Sequence, residues 1–324
     1  MSVLAFILRR LAYAAALVLA VLVLNFLLIR IAPGDPIETL AGQIGGMTDD
    51  IRREMRATYG LDQPVLTQLA IYIGRVLRGD LGYSYFFNLP VTALILDRLP
   101  ATLLLLLPAL AVSVVAGTTL GVLAARKPNG LLSQAITVVS VIGYSAPVFW
   151  TGMLLVILFA SVIPILPVSG MRSAAVSQGF LRDALDIAHH LVLPVVSLAM
   201  VYLAQYSRLT RASMLDVLGA DYVRTARAKG LAERTVFSRH ALRNAILPIV
   251  TIVGLQFGNM LAGAIVVETV FNWPGLGRLA FDSVLRRDYP TLLGLLFFSS
   301  FLVIAANQIT DLCYRLADPR INTA

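Results

Sequence analysis

The stretch LPATLLLLLPALAVSVVAGTTLGVLAA, residues 99–125, runs for 27 residues without a charge, and its reading decides the fold. A helix rises about 1.5 Å per residue and the hydrocarbon core of a bilayer is about 30 Å thick, so about 20 apolar residues cross it. Working outward, further charge-free runs lie at 11–29, 128–171, 187–207, 244–267 and 289–310. The run 128–171 could hold two helices by length, but Pro164, Pro167 and Gly170 make its second half a poor span. It is therefore read as one helix at about 133–162, with Pro147 inside it. The chain reads as an all-α membrane protein with six transmembrane helices.

Composition agrees. Of 324 residues 58% are hydrophobic and 14% charged, against roughly a quarter charged in soluble domains. That excludes an ordinary soluble domain and a disordered chain. A disulfide-stapled scaffold is excluded because Cys313 is the single cysteine. A net charge of +8 would suit nucleic acid in a soluble chain, but in a membrane chain the placement of Lys and Arg matters more than their total. The first run, at 19 residues, exceeds the roughly 7–15 of a signal-peptide core, and no small-residue cleavage site follows before Pro33. It reads as a retained signal anchor. With the N-terminus inside, the cytoplasmic segments carry 14 basic and 5 acidic residues and the outer segments 12 and 13. Both termini are therefore expected in the cytoplasm.

Two segments outside the spans are long. In the outer one, 32–98, Thr48 is expected to cap a helix reaching Gly60, with Asp49 and Asp50 in its first turn. A second helix is expected from Pro64 to Gly79, with Leu66, Leu69, Ile73 and Leu77 on one stripe. It either lies on the membrane or against other spans, or offers a docking surface to an extracytoplasmic partner. In the inner segment, 208–243, Asp221 to Lys229 holds good helix formers, an acid at the start, bases at the end and Gly230 as a stop. Tyr222, Val223 and Ala226 give it a small apolar face, so short a helix must rest on something. If that something is not protein, its bases meet anionic headgroups.

Some chemistry is missing. The two lysines, Lys127 and Lys229, do not sit in a phosphate-binding loop, so the chain is not expected to hydrolyse ATP. His189, His190 and His240 show no metal-site spacing. Ser169 with His189 or His190 is the nearest approach to an intramembrane hydrolase, but Pro167 and Gly170 place it in a loop. All six runs lack Asp, Glu, Lys and Arg, which argues against a proton- or ion-driven secondary transporter. No catalytic residue, metal ligand or cofactor-binding residue is assigned. What remains is a transport subunit energised by another protein.

The string DYVRTARAKGLAERTVFSRHALRNAILPIVT, residues 221–251, resembles the cytoplasmic loop of permease subunits of ATP-binding-cassette (ABC) importers, in the form found in the dipeptide, oligopeptide and nickel group. IAPGDP at 31–36, GDLGYS at 79–84, SAPVFW at 145–150, ETVFNWPGLGR at 268–278, RRDYP at 286–290 and DPRI at 318–321 resemble the same group. The resemblance implies a type I ABC importer permease in a bacterial plasma membrane. Its partners would be a second homologous permease, two cytoplasmic ATPase subunits that carry ATP and Mg, and an extracytoplasmic substrate-binding protein. It divides the chain into 1–98, the first helix with the outer segment; 99–315, a five-helix core with the loop 208–243; and a tail, 316–324. It also implies that the loop helix couples to an ATPase through Asp221, Tyr222, Arg224, Thr225, Ala226, Arg227, Lys229 and Gly230. The general signature of these permeases has Glu-Ala-Ala where this chain has Arg224, Thr225 and Ala226, so only the last Ala and Gly230 match.

Peptides are the expected cargo, with a nickel complex or other small solute as the alternative. Tyr202, Gln205, Tyr206, Gln256 and Asn259 are the polar side chains expected to face the path, each with interhelical hydrogen bonding as the plainer reading. Glu268 opens the turn-rich outer string. It either anchors the helix end together with Trp273 or is available at the mouth of the path to a peptide's amino group.

Overall fold

The computed structural model describes residues 3–31, 46, 48–51, 53, 62–173 and 179–317. Its helices are α1 (Val3–Ile31), α2 (Val65–Leu77), α3 (Val91–Arg126), α4 (Leu131–Ser145), α5 (Val148–Val156), α6 (Phe180–Leu218), α7 (Asp221–Ala228), α8 (Leu247–Val270), α9 (Leu276–Arg286) and α10 (Tyr289–Ala317). A two-stranded antiparallel hairpin, β1 (Tyr83–Ser84) and β2 (Leu89–Pro90), precedes α3. Among the described residues five helices are long and apolar enough to cross a membrane, with α4 and α5 as a sixth if counted as one broken span. The expected third helix at 133–162 is thus two helices meeting at 105°. Pro147 supplies the reason: it has no N–H to donate and keeps the preceding residue out of helical geometry, and Ala146 is extended at ψ 130°. Past α5 the chain continues as a π-helix, Ile157–Val162, to Pro164. The helix expected from Thr48 falls mostly outside the described residues, although 49–51 are helical.

The chain forms two compact units, 1–100 with 279–305 and 101–278 with 306–324. In the first, Leu22, Val91, Ile95 and Leu295 are buried. Helix α2 turns Gln68, Tyr72 and Val76 inward: Arg30 donates to Gln68 Oε1 at 3.1 Å and Tyr72 stacks on Phe26 at 6.2 Å. Of its expected apolar stripe, Leu66 and Leu77 are exposed while Leu69 and Ile73 are half-buried. The motif strings GDLGYS and RRDYP, separated by two hundred residues, meet here. Asp288 caps α10, accepting from Thr291 Oγ1 at 2.7 Å and from the hairpin's Ser84 Oγ at 2.5 Å, all three being buried. Burial pushes the Asp80 carboxyl up, but hydrogen bonds from Arg75 at 2.8 Å and the Gly82 N–H at 2.9 Å outweigh it and hold it below the usual range.

The second unit is organised around α6. Its 39 residues span about 58 Å, roughly twice the hydrocarbon core, so the uncharged part, 187–207, crosses and the rest projects beyond the membrane. Small residues bring α3 against it: a Cβ on Gly117 would lie 2.7 Å from the Tyr206 Cβ, and one on Gly121 2.6 Å from the Ser207 carbonyl. Likewise Gly152 on α5 lies against Ser197 of α6.

Candidate functional site

On the segment expected to be cytoplasmic, α7 is seated by two side chains. Val223 is 0% exposed and Ala226 is buried beside it, both packed on Val236 and bordered by Val217 and Leu218. The helix starts and stops where the sequence indicates. Asp221 occupies its first turn, and Gly230 adopts φ +79°, its N–H returning to the Arg227 carbonyl at 2.9 Å. Seven of the eight residues expected to couple are exposed, among them Asp221, Tyr222, Arg224, Thr225, Lys229 and Gly230. Tyr222 was expected on the apolar face; instead it is 45% exposed and its hydroxyl accepts from Asn244 at 3.0 Å. Arg227 is also exposed but pairs with Glu233 at 2.8 Å, which ties α7 to the following segment. Ala226 faces inward.

That following segment, Glu233–Ala245, contains a π-helix, Val236–Leu242. Its Ala241 and the nearby Ala245 pack on Met214 and Ala125, so the seat of α7 is built onto the C-terminal ends of α3 and α6. Asn244 also donates to the His240 carbonyl at 3.0 Å, fixing the amide that holds Tyr222. Asn244 was not singled out from the sequence. Its only signal was a polar residue opening the run 244–267, which is where charge-free runs commonly open.

The polar side chains of the spans divide into two groups. Gln256 on α8 donates to Gln205 Oε1 on α6 at 2.5 Å and accepts from Asn259 at 2.9 Å, a chain whose buried middle joins a half-buried amide to an exposed one. Tyr202 and Tyr206 are buried on α6, and the Tyr206 hydroxyl has no hydrogen-bond partner among the described residues. The exposed positions of α8, Pro248, Thr251, Leu255, Asn259, Ala262, Ile265 and Val266, make one helical stripe with Asn259 near its middle. An amide there facing lipid tails would lose about 2–7 kcal/mol on transfer from water, so that stripe belongs to a wet or protein-covered surface.

At the far end of α8 the string ETVFNWPGLGR folds into a compact turn. Glu268 has no exposed surface. Its Oε1 accepts from Thr102 Oγ1 at 2.8 Å, and its Oε2 from the Gly277 and Arg278 N–H groups at 2.7 and 3.1 Å. Trp273 was expected as an interfacial ring; it is instead fully buried, its indole N–H donating to the Ala101 carbonyl at 2.8 Å. A buried indole needs that acceptor. Glu268 therefore stands apart from the other polar side chains expected on the path. Thr102, its partner 166 residues away, was not singled out from the sequence.

The remaining candidates make no catalytic arrangement. Among the described residues no hydrogen bond joins Ser169 to a histidine: His189 Nε2 sits on the Ile165 carbonyl at 2.9 Å and His190 Nδ1 on the Asp186 carbonyl at 2.8 Å. Among the described residues there is also no cluster of His, Cys, Asp and Glu fit for a metal.

Residues 117–323 match the family described as "Binding-protein-dependent transport system inner membrane component", and residues 3–106 match its N-terminal companion family. The chain is 40% identical to the "Dipeptide transport system permease protein DppB" of Escherichia coli K12, over 98% of both chains. It is 38% identical to the "Oligopeptide transport system permease protein AppB" of Bacillus subtilis 168, over 98% of this chain and 99% of that one. Among solved structures, the inward-facing MetNI methionine ABC transporter matches with a TM-score of 0.55 at 15% identity, over 69% of this chain and 96% of that one, a likeness of fold.

Proposed function

Because the chain belongs to the family of binding-protein-dependent transport system inner membrane components, we propose that it is the permease subunit of an ATP-driven peptide importer, contributing half of the translocation path. One observation carries this reading: α7 is held by Val223 and Ala226 while its remaining side chains stand exposed, on a chain with no phosphate-binding loop of its own. Such a helix is a plug awaiting a socket. In this reading the socket belongs to a cytoplasmic ATPase that holds ATP and Mg, and Tyr222, Arg224, Thr225 and Lys229 meet it. Arg227 acts within the chain, bracing α7 through Glu233. Both termini and α7 then lie on the cytoplasmic side, as the distribution of Arg and Lys favours, and six spans result when α4 and α5 cross as one broken element.

The exposed stripe of α8 faces the path or the second permease, and the chain of amides Gln205, Gln256 and Asn259 is its polar lining. Tyr202 and Tyr206 stand behind it on α6. The turn 271–278 sits at the external mouth, where the extracytoplasmic binding protein delivers cargo. Peptides are the cargo favoured by the relatives' names, and nickel complexes the alternative. The test is uptake into proteoliposomes that carry the complete assembly, with ATP inside and loaded binding protein outside. ATP-dependent accumulation of labelled di- to pentapeptide is expected. Accumulation of nickel with none of peptide would reassign the cargo.

A further inference from the structure

We propose that Glu268 is a positioning residue: with Thr102 it staples the turn 271–278 onto α3, and it serves import by setting that turn rather than by meeting the cargo. The inference rests on the placement of this turn at the external mouth. Thr102 donates to Glu268 Oε1 and at the same time accepts the Leu276 N–H at 2.8 Å. Glu268 Oε2 takes the next two amides, Gly277 and Arg278. Leu276, Gly277 and Arg278 open α9, and a helix's first amides have no partner within the helix. A threonine and a carboxylate from two other helices supply them, where the dipole also favours negative charge.

The turn's other end is held by the same helix. Trp273 donates to the Ala101 carbonyl, so neighbouring residues of α3 grip both sides of Pro274 and Gly275. The fit is close: a Cβ on Gly275 would run into the Glu268 carboxylate, and one on Gly277 into the backbone of Ile265. A carboxylate with no exposed surface and three of its roughly four acceptor sites filled is closed to a peptide's ammonium.

Thr102→Val separates positioning from recognition. It removes the donor to Glu268 and the acceptor for Leu276 while keeping the side-chain shape at 102 and the Glu268 side chain itself. Hydrogen exchange on the purified full chain is expected to speed up about tenfold at Leu276, Gly277 and Arg278, because a buried donor left without its partner loses the protection of that bond. Exchange in α7 stays unchanged. In proteoliposomes the binding-protein concentration for half-maximal uptake rises, equally for peptides with free and acetylated amino termini; a mere loss of folded protein would lower total uptake and leave that concentration where it was. Glu268→Ala behaves likewise, and Glu268→Gln recovers part of the loss because its amide oxygen still accepts the two backbone N–H groups. Wild-type protection at 276–278 in Thr102→Val overturns the staple. Normal uptake by Thr102→Val, together with a Glu268→Gln defect confined to free-amino peptides, returns Glu268 to the cargo. The exchange experiment needs no cargo, so it decides the staple even if the transporter imports something other than peptides.

Discussion

Val223→Asp is expected to abolish ATP-driven uptake while the chain still inserts in the membrane. Val223 has no exposed surface, and burying a valine contributes about 1.5–3 kcal/mol. With Ala226 and Val236 it makes up the buried cluster under a helix of eight residues, which cannot persist without such support. An aspartate there would carry an unpaired charge into an apolar seat, a penalty of several kcal/mol that exceeds what the seat contributes. Helix α7 would then leave its place, and with it the surface offered to the ATPase. The uncharged part of α6, 187–207, is untouched, since the seat meets that helix only at its end, at Val217 and Leu218. The checks are ATP hydrolysis and uptake in the reconstituted assembly: uptake should fall at least about 100-fold, the equivalent of losing about 2.7 kcal/mol. Arg224→Glu is the milder companion, because Arg224 is exposed and its contact with the exposed Asp221 is long at 3.6 Å. It reverses charge toward the partner without disturbing the fold, whereas reversal at Arg227 would first break the bond to Glu233.

The second large effect is on stability. Gly277→Ala places a methyl group against the Ile265 backbone, which cannot swing aside, and near Glu268 Oε2, which is held by the Gly277 and Arg278 N–H groups. Overpacking of this kind costs about 1–3 kcal/mol, and here it also strains the staple. Gly74→Ala is the control: Gly74 is inside α2, nothing lies within 4 Å of its would-be Cβ, and alanine is the better helix former by about 1 kcal/mol. In thermal unfolding of the detergent-solubilised chain, Gly277→Ala should melt several degrees below wild type and Gly74→Ala at or slightly above it. Equal melting of the two would remove the close approach on which the outer turn is built.

The parts of this molecule legible in its sequence are those written locally. Charge-free runs mark α1, α3, α6, α8 and α10 because a membrane imposes one length and one polarity on every span. The bounds of α7 are equally local, set by Asp221 at one end and Gly230 at the other. What the sequence hides is pairing across distance. Thr102 is one hydroxyl in an apolar run, and nothing near it announces Glu268, so that carboxylate could be read as a reagent at the mouth as readily as an anchor. Trp273 was misplaced for the same reason: an indole next to Pro and Gly looks interfacial until its acceptor, the Ala101 carbonyl, is known. The 105° bend between α4 and α5 was half legible. Pro147 marked the break, but a proline stops a helix without setting the direction in which the next helix leaves. Asp288 was missed although it was locally signalled, since an aspartate followed by Tyr-Pro is a good helix start; reading RRDYP only as a resemblance hid the cap.

The central claim is that this chain is energised through the exposed face of α7, and photo-crosslinking from position 225 in native membranes tests it most directly. Thr225 is exposed at the middle of that face and its hydroxyl bonds only to the Asp221 carbonyl of its own helix, so a reactive side chain there replaces no tertiary contact. The account predicts a discrete adduct whose partner, identified by its peptides, carries a phosphate-binding loop, and no such adduct from a probe at the exposed Asn88. Adducts to lipid alone from position 225, or capture of the ATPase from position 88 instead, would contradict both the coupling role of α7 and the orientation of the chain.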